Sequence, residues 1–148
     1  MDDAFFMSEA LKEAEKAAAA AEVPIGCVIV KDGKIIARAH NRTIRDNNPV
    51  AHAEILAIQK AAKKLKNYRL TKCDIYVTIE PCAMCAGAMV WARIKKVVYG
   101  ASDIKAGACG SIFNVVQNKK LNHYVRVKSG ILEKNCSKIM RDFFKEKR

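Results

Sequence analysis

The sequence predicts an α/β sandwich with about five strands, and three observations lead there. Strand-type and helix-type apolar patterns alternate along the chain, which is the order of a sheet covered by helices. The 148 residues fit one ordinary domain, 1–148, with a single sizeable core. A composition of 51% hydrophobic and 28% charged residues is that of a globular chain rather than a disordered one.

Each element has its own local reason. "AFFMSEALKEAEKAAAAAEVPIG" places Phe6, Ala10, Ala14, Ala17 and Ala21 on one helical stripe, with alanines supplying propensity and Pro24 and Gly26 ending the helix. "IGCVIVKDGKIIARAHN" reads as two strands joined at Asp32-Gly33, a strong short hairpin signal. "NRTIRDNNP" is turn-rich. "AHAEILAIQKAAKKLKN" then spaces Ile55, Leu56, Ile58 and Leu65 as a helix does. "CDIYVTIEPC" is a buried-type strand closed by Pro81, and "CAMCAGAMVWARI" resumes helical character. "KKVVYGA" predicts a short strand, "SDIKAGACGS" a Gly-rich loop and "IFNVVQN" a weak helix. "HYVRVKSG" predicts a strand, and "ILEKNCSKIMRDFFKEKR" a terminal amphipathic helix.

No stretch reaches the roughly 18 apolar residues of a membrane span, and neither end reads as a signal peptide, so a soluble, cytoplasmic protein is expected. Six cysteines are few for a secreted disulfide scaffold, and in a reducing compartment they are thiols or metal ligands. The 27 Lys and Arg against 15 Asp and Glu give a formal charge of +12, which fits a polyanionic partner such as nucleic acid as well as a plain Lys-rich surface.

The chemistry concentrates in His52, Glu54, Cys82 and Cys85. Two cysteines at i and i+3 share a helical face, and a helix N-terminus favours their thiolates. One imidazole completes a Cys2His set, which leaves tetrahedral zinc an open fourth position for water, and the two thiolates balance its charge. Glu54 then supplies a proton acceptor that can also donate. Residues two apart diverge by about 200° on a regular helix, so His52 and Glu54 share a site only where it caps the helix start. Each part has a plainer explanation when taken alone. The C-x-x-C pair fits a redox dithiol or half of a structural zinc site, completed by His40, Cys73, Cys109 or His123, while His52 fits a structural histidine and Glu54 a solvated first-turn acid. Only a catalytic zinc site uses all four.

H-x-E followed by P-C-x-x-C is the signature of the zinc-dependent nucleoside and nucleobase deaminases. The match goes further. "AAEVPIGCVIV", "HNR", "NPVAHAEILAI", "NYRL", "CDIYVTIEPCAMCAGAMVWARI", "VVYGASDIKAGACGS", "LNHYV" and "GILEKNCSKIMRDFF" together resemble the bacterial tRNA-specific adenosine deaminases from Glu9 to Phe144. The resemblance implies a cytidine-deaminase-like, three-layer α/β/α sandwich with a mixed sheet. It also implies a homodimer that converts adenosine to inosine at the wobble position, 34, of a tRNA anticodon, in most bacteria that of tRNA-Arg. Carried over by residue, His52, Cys82 and Cys85 bind one Zn2+ per subunit and Glu54 shuttles protons. Asn41 contacts the base, and Asp103, Lys105, Asn122 and Phe144 lie near the bound anticodon stem-loop.

An RNA substrate gives the basic charge a role, because Lys and Arg contacts to phosphates fix register. Lys63, Lys64, Lys66, Arg69, Lys119, Lys120, Arg141, Lys145, Lys147 and Arg148 are candidates, each also explained as a solvated side chain. Phe143 is expected in the core, and Phe144 beside basic residues is placed to stack on a base. Trp91, Met84, Met89 and Val90 are expected in the core or a dimer interface, and Cys27, Cys73, Cys109 and Cys136 as buried thiols. The competing readings are a deaminase of free guanine or cytosine on the same fold and a non-enzymatic zinc or RNA-binding protein.

Overall fold

In the computed structural model, which describes residues 2–147, helix α1 (Asp3–Ala19) starts at Asp2, whose carboxylate accepts the Phe5 N–H at 2.9 Å. Phe6, Ala10, Ala14 and Ala17 are buried as the stripe predicts. Ala21 is not: it lies past the helix end in left-handed backbone, φ 60°, where the chain turns toward the sheet, and it is exposed. Strands β1 (Gly26–Lys31) and β2 (Lys34–His40) form the expected hairpin, with Asp32 at φ 52° and Gly33 at φ 74°, the two positive values a tight two-residue turn demands.

Helix α2 (Ala53–Leu65), strand β3 (Cys73–Ile79), helix α3 (Ala83–Trp91) and strand β4 (Lys96–Ala101) follow, then strand β5 (Arg126–Lys128) and helix α4 (Glu133–Glu146). The sheet order is β2-β1-β3-β4-β5. β1 is antiparallel to both neighbours, and β3, β4 and β5 pair in parallel, so β2, β3, β4 and β5 all point one way. The C-terminal ends of β2, β3 and β4 therefore share one sheet edge, as the pairings Gly26 with His40, Cys27 with Val77 and Ile79 with Ala101 require. The segments leaving those ends are 41–52, 80–82 and 102–125. That edge is where a site built from loops must form.

The sheet is buried on both faces, giving three layers. Cys27, Ile29, Ile75, Val77, Val97 and Tyr99 face α2 and α3, where Ala53, Ala57, Ala61, Ala86 and Met89 meet them. The alternate residues Val28, Val30, Tyr76 and Val98 pack with Phe6, Met7 and Ala10 of α1 and with Cys136 of α4. Alanines on the buried face of α2 let it approach the strands closely, and Leu56, Ile58 and Leu65 pack at the margin.

Two further expectations fail. Segment 112–118 is turns rather than helix: the Asn114 side-chain Oδ1 accepts the Gln117 N–H at 3.1 Å, and an isolated bridge joins Cys109 to Asn114. Only Val116 of its apolar residues is fully buried, so no helical face exists to dock. β5 is also shorter than the apolar pattern over 123–130, because the Val125 N–H bonds back to the Val116 carbonyl at 2.9 Å instead of entering the ladder. Among the described residues no helix is long and apolar enough to cross a membrane.

α1 rests directly on β1 at Gly26, where an added Cβ would run into the Ala10 carbonyl and the Ala14 amide. Gly26→Ala should therefore lower the unfolding free energy by about 1–3 kcal/mol in urea titration; an unchanged midpoint would mean this contact does not hold the layer in place.

Candidate active site

Each half of the motif supplies the residue that begins a helix. His52 is the N-cap of α2, with φ −75° and ψ 152°, and Cys82 is the N-cap of α3, with φ −76° and ψ 176°. Both are extended, so they stand just outside the helical twist, and neither side chain makes a capping hydrogen bond. The condition for His52 and Glu54 to share a site is thereby met. Pro49 and the turns of 43–50 hold His52 at this start, and Pro81 does the same for Cys82.

The three donors converge. His52 Nδ1 lies 3.6 Å from Cys82 Sγ and 3.5 Å from Cys85 Sγ, and all three donor atoms lie within 4.8 Å of one another. Zn–S bonds of about 2.3 Å and Zn–N bonds of about 2.0–2.1 Å at a tetrahedral angle put S and N about 3.6 Å apart, which both nitrogen–sulfur distances match. The hydrogen bond from Cys85 and the one to His52 pull the Cys82 thiol down to about 3, while Cys85 is driven up by the same bond to Cys82 and by burial. The bond to Cys82 raises His52. The cluster holds an anionic sulfur and shared protons at two positive helix ends, which a divalent cation can replace.

Glu54, in the first turn of α2, is 3% exposed, and its Oε1 has no hydrogen-bond partner among the described groups. Burial pushes its carboxyl up to about 7. A buried carboxyl free to accept or donate a proton beside a metal-binding triad is the arrangement that hydrolysis needs.

Other predicted residues divide by position. Asn41 follows β2 at the same sheet edge and is buried, its Nδ2 donating to Thr43 Oγ1 at 3.4 Å. Asp103 and Lys105 lie in the loop after β4, also at this edge, and Lys105 shares a surface cavity of about 730 Å3 with Phe144, Met140, Arg141 and Lys145. Phe143 is buried and Phe144 is 45% exposed, as expected. Asn122 is not brought to this edge. Its carbonyl accepts from Arg93 Nη1 at 3.0 Å at the far end of α3, about 14 Å from Cys82 for nine residues of helix. Lys63, Lys64, Lys66, Arg69, Lys119, Lys120, Arg141, Lys145 and Lys147 are all exposed, and Arg148 lies outside the described residues. Met89 and Val90 are core, but Met84 and Trp91 face outward. Cys27, Cys73, Cys109 and Cys136 are buried.

A fourth protein ligand is not supplied by the histidines considered for it. His40 Nδ1 meets Glu13 Oε1 at 3.1 Å and His123 Nε2 meets the Ile94 carbonyl at 2.6 Å. Cys73 begins β3 at the opposite sheet edge, and among the described residues the metal-capable group contains only His52, Cys82 and Cys85. A cleft of about 760 Å3 lies at that opposite edge, between Lys72, Arg93, Lys95 and Arg126, away from the three donors.

The sequence reading missed two buried carboxylates that shape this edge. Glu22 accepts the N–H groups of Ile44 and Arg45, at 3.2 and 2.6 Å, and ties down the loop before His52. Glu80 binds the loop after β4. Their only sequence signal is an acid within an otherwise apolar stretch, "EVPIG" and "VTIEP".

Comparison with known proteins agrees with this geometry. The chain belongs to the MafB19-like deaminase family, which it matches over residues 1–148. It is 49% identical over 146 residues to a tRNA-specific adenosine deaminase of Bacillus subtilis (strain 168), covering 99% of this chain and 91% of the relative. A solved structure from work on A-to-I editing by tRNA:A34 deaminases at the wobble position of transfer RNA superposes with a TM-score of 0.88 at 45% identity, covering 91% of this chain and 98% of that one. The cytidine-deaminase-like fold is thus shared. A guanine deaminase from Bacillus subtilis is similar over a smaller part, with a TM-score of 0.66 at 45% identity, covering 69% of this chain and 66% of that one. Within the family, the chain is a member of the tRNA-specific adenosine deaminases.

Cobalt titration of metal-free protein should show one equivalent bound with thiolate-to-metal absorption, and Cys82→Ser or His52→Ala should weaken binding at least about tenfold. Equal affinity in both variants would remove these residues from the metal set.

Proposed function

We propose that the protein is a zinc-dependent tRNA adenosine deaminase that forms inosine at wobble position 34, most plainly in tRNA-Arg, acting in the cytoplasm as a homodimer of 1–148 deaminase domains. The observation that carries this reading is the convergence of His52, Cys82 and Cys85 beside the buried Glu54 carboxyl, whose Oε1 has no partner among the described groups. His52, Cys82 and Cys85 would hold the zinc, which when bound would supply a water of lowered pKa as the nucleophile. Glu54 accepts the proton that water gives up and delivers it to N1 of a flipped-out adenine as the C6–O bond forms. A second proton passes through the same carboxylate to the exocyclic amine. The C6–N bond breaks, ammonia leaves, and the base is hypoxanthine. Asn41 holds the base, Asp103 and Lys105 contact the anticodon loop, and Phe144 stacks on a flanking base beside Arg141 and Lys145.

The dimer reading rests on α3. Trp91 is 82% exposed, and Met84, Gly87 and Trp91 follow helical spacing on its outer side. Trp91, Gly87 and Val90 line a surface cavity of about 510 Å3 with Lys120, Leu121 and Asn122. Burial of this face against a second copy would cover the tryptophan, and it offers Asn122 a route to RNA bound at the other subunit.

Likeness to a guanine deaminase favours a second reading, with free guanine as substrate. The +12 charge and the exposed basic residues around Phe144 favour RNA. Incubation with an anticodon stem-loop bearing adenosine at position 34, and separately with free bases and nucleosides, should give inosine in the RNA alone; product from free guanine would transfer the assignment.

Glu54→Gln should lower kcat by at least about 10²–10⁴-fold while metal content and RNA affinity stay near wild type. Turnover close to wild type would exclude Glu54 as proton carrier. Trp91→Arg should shift the protein from dimer to monomer in sedimentation analysis, and an unchanged dimer would place the interface elsewhere.

A further inference from the structure

Four hydrogen bonds converge on Glu80, which is 3% exposed and two residues before Cys82. Its Oε1 accepts the Asp103 N–H at 3.0 Å and the Ser111 hydroxyl, and its Oε2 accepts the N–H groups of Cys109 and Ser111 at 3.0 and 3.1 Å. The loop closes tightly on it. A Cβ on Gly107 would collide with the Glu80 carboxyl and the Asp103 carbonyl, and the Pro81 carbonyl accepts the Ala108 N–H at 2.8 Å. The Gly107 carbonyl in turn accepts the N–H groups of Ile112 and Phe113, at 2.9 and 3.1 Å.

Residues 103–111 are thus wrapped around one carboxylate that is covalently close to the metal-binding cysteines. We infer that Glu80 is a positioning residue that fixes the 103–111 loop, with Asp103 and Lys105, at a set distance from the metal centre, so that RNA use depends on it and metal binding does not. This rests on the proposed RNA substrate. Each Glu80 oxygen accepts two of the four bonds, and a glutamine at this position would turn an NH2 group toward two donors and lose two of the four. An aspartate would fall one methylene short.

Glu80→Gln should keep one zinc per chain and leave amide exchange in β3 and β4 at wild-type rates. The amides of Asp103, Cys109 and Ser111 should exchange about tenfold faster or more. On the stem-loop, kcat/KM should fall about 10²-fold, with most of the loss in KM. Gly107→Ala, which pushes the loop off the carboxylate without changing charge, should give the same pattern, and Ser111→Ala, which removes one of four bonds, a smaller loss. Wild-type local exchange with wild-type KM in Glu80→Gln would overturn the inference, as would loss of zinc together with protection throughout β3 and β4. If the wild-type protein does not edit the stem-loop, the proposed substrate falls instead, and the exchange rates still decide whether Glu80 locks the loop.

Discussion

A small divalent cation needs its protein donors within about 4 Å of one another, and His52 and Cys82, 30 positions apart, reach 3.6 Å because α2 and α3 begin at the same edge of the sheet. That in turn follows from strand direction. β1 runs against its neighbours, which leaves β2 and β3 parallel, so the segments leaving both strands emerge together and each leads into a helix start. Placing the donors at N-cap positions has a chemical consequence too, since the positive helix ends favour the thiolate form and the extended backbone frees the side chains to meet. Glu54 is drawn into the same space by being two residues further along α2.

Three glutamates at this edge show how surroundings set the use of one functional group. Glu22 and Glu80 have their oxygens filled by backbone N–H donors, and both organise loops. Glu54 is equally buried, yet one of its oxygens has no partner among the described groups. A filled carboxylate fixes structure and an unfilled oxygen can exchange a proton, so hydrogen bonding rather than residue type sets Glu54 apart from the two loop-holding glutamates.

Much of this was legible in the sequence because it depends on local signals. Asp32-Gly33 specified the hairpin through its need for positive φ, and H-A-E and P-C-A-M-C each announced a helix start with a potential metal donor on it. The rest depends on long-range pairing. Glu22 meets Ile44 and Glu80 meets Ser111 across gaps of 22 and 31 positions, which no periodicity encodes. The apolar residues of 112–118 looked helical, but an Asn114 side-chain bond offered the backbone a turn instead. Asn122, matched to the site by resemblance, lies at the far end of α3 within its own chain.

The family membership and the geometry together describe a deaminase whose fold brings three potential metal donors, His52, Cys82 and Cys85, to one place. X-ray absorption on the zinc-loaded protein tests that arrangement most directly. The account predicts two sulfur scatterers at about 2.3 Å and two nitrogen or oxygen scatterers at about 2.0–2.1 Å, one of them exchangeable with a water-mimicking anion. A shell with three or more sulfurs, or one closed to added ligand, would contradict it.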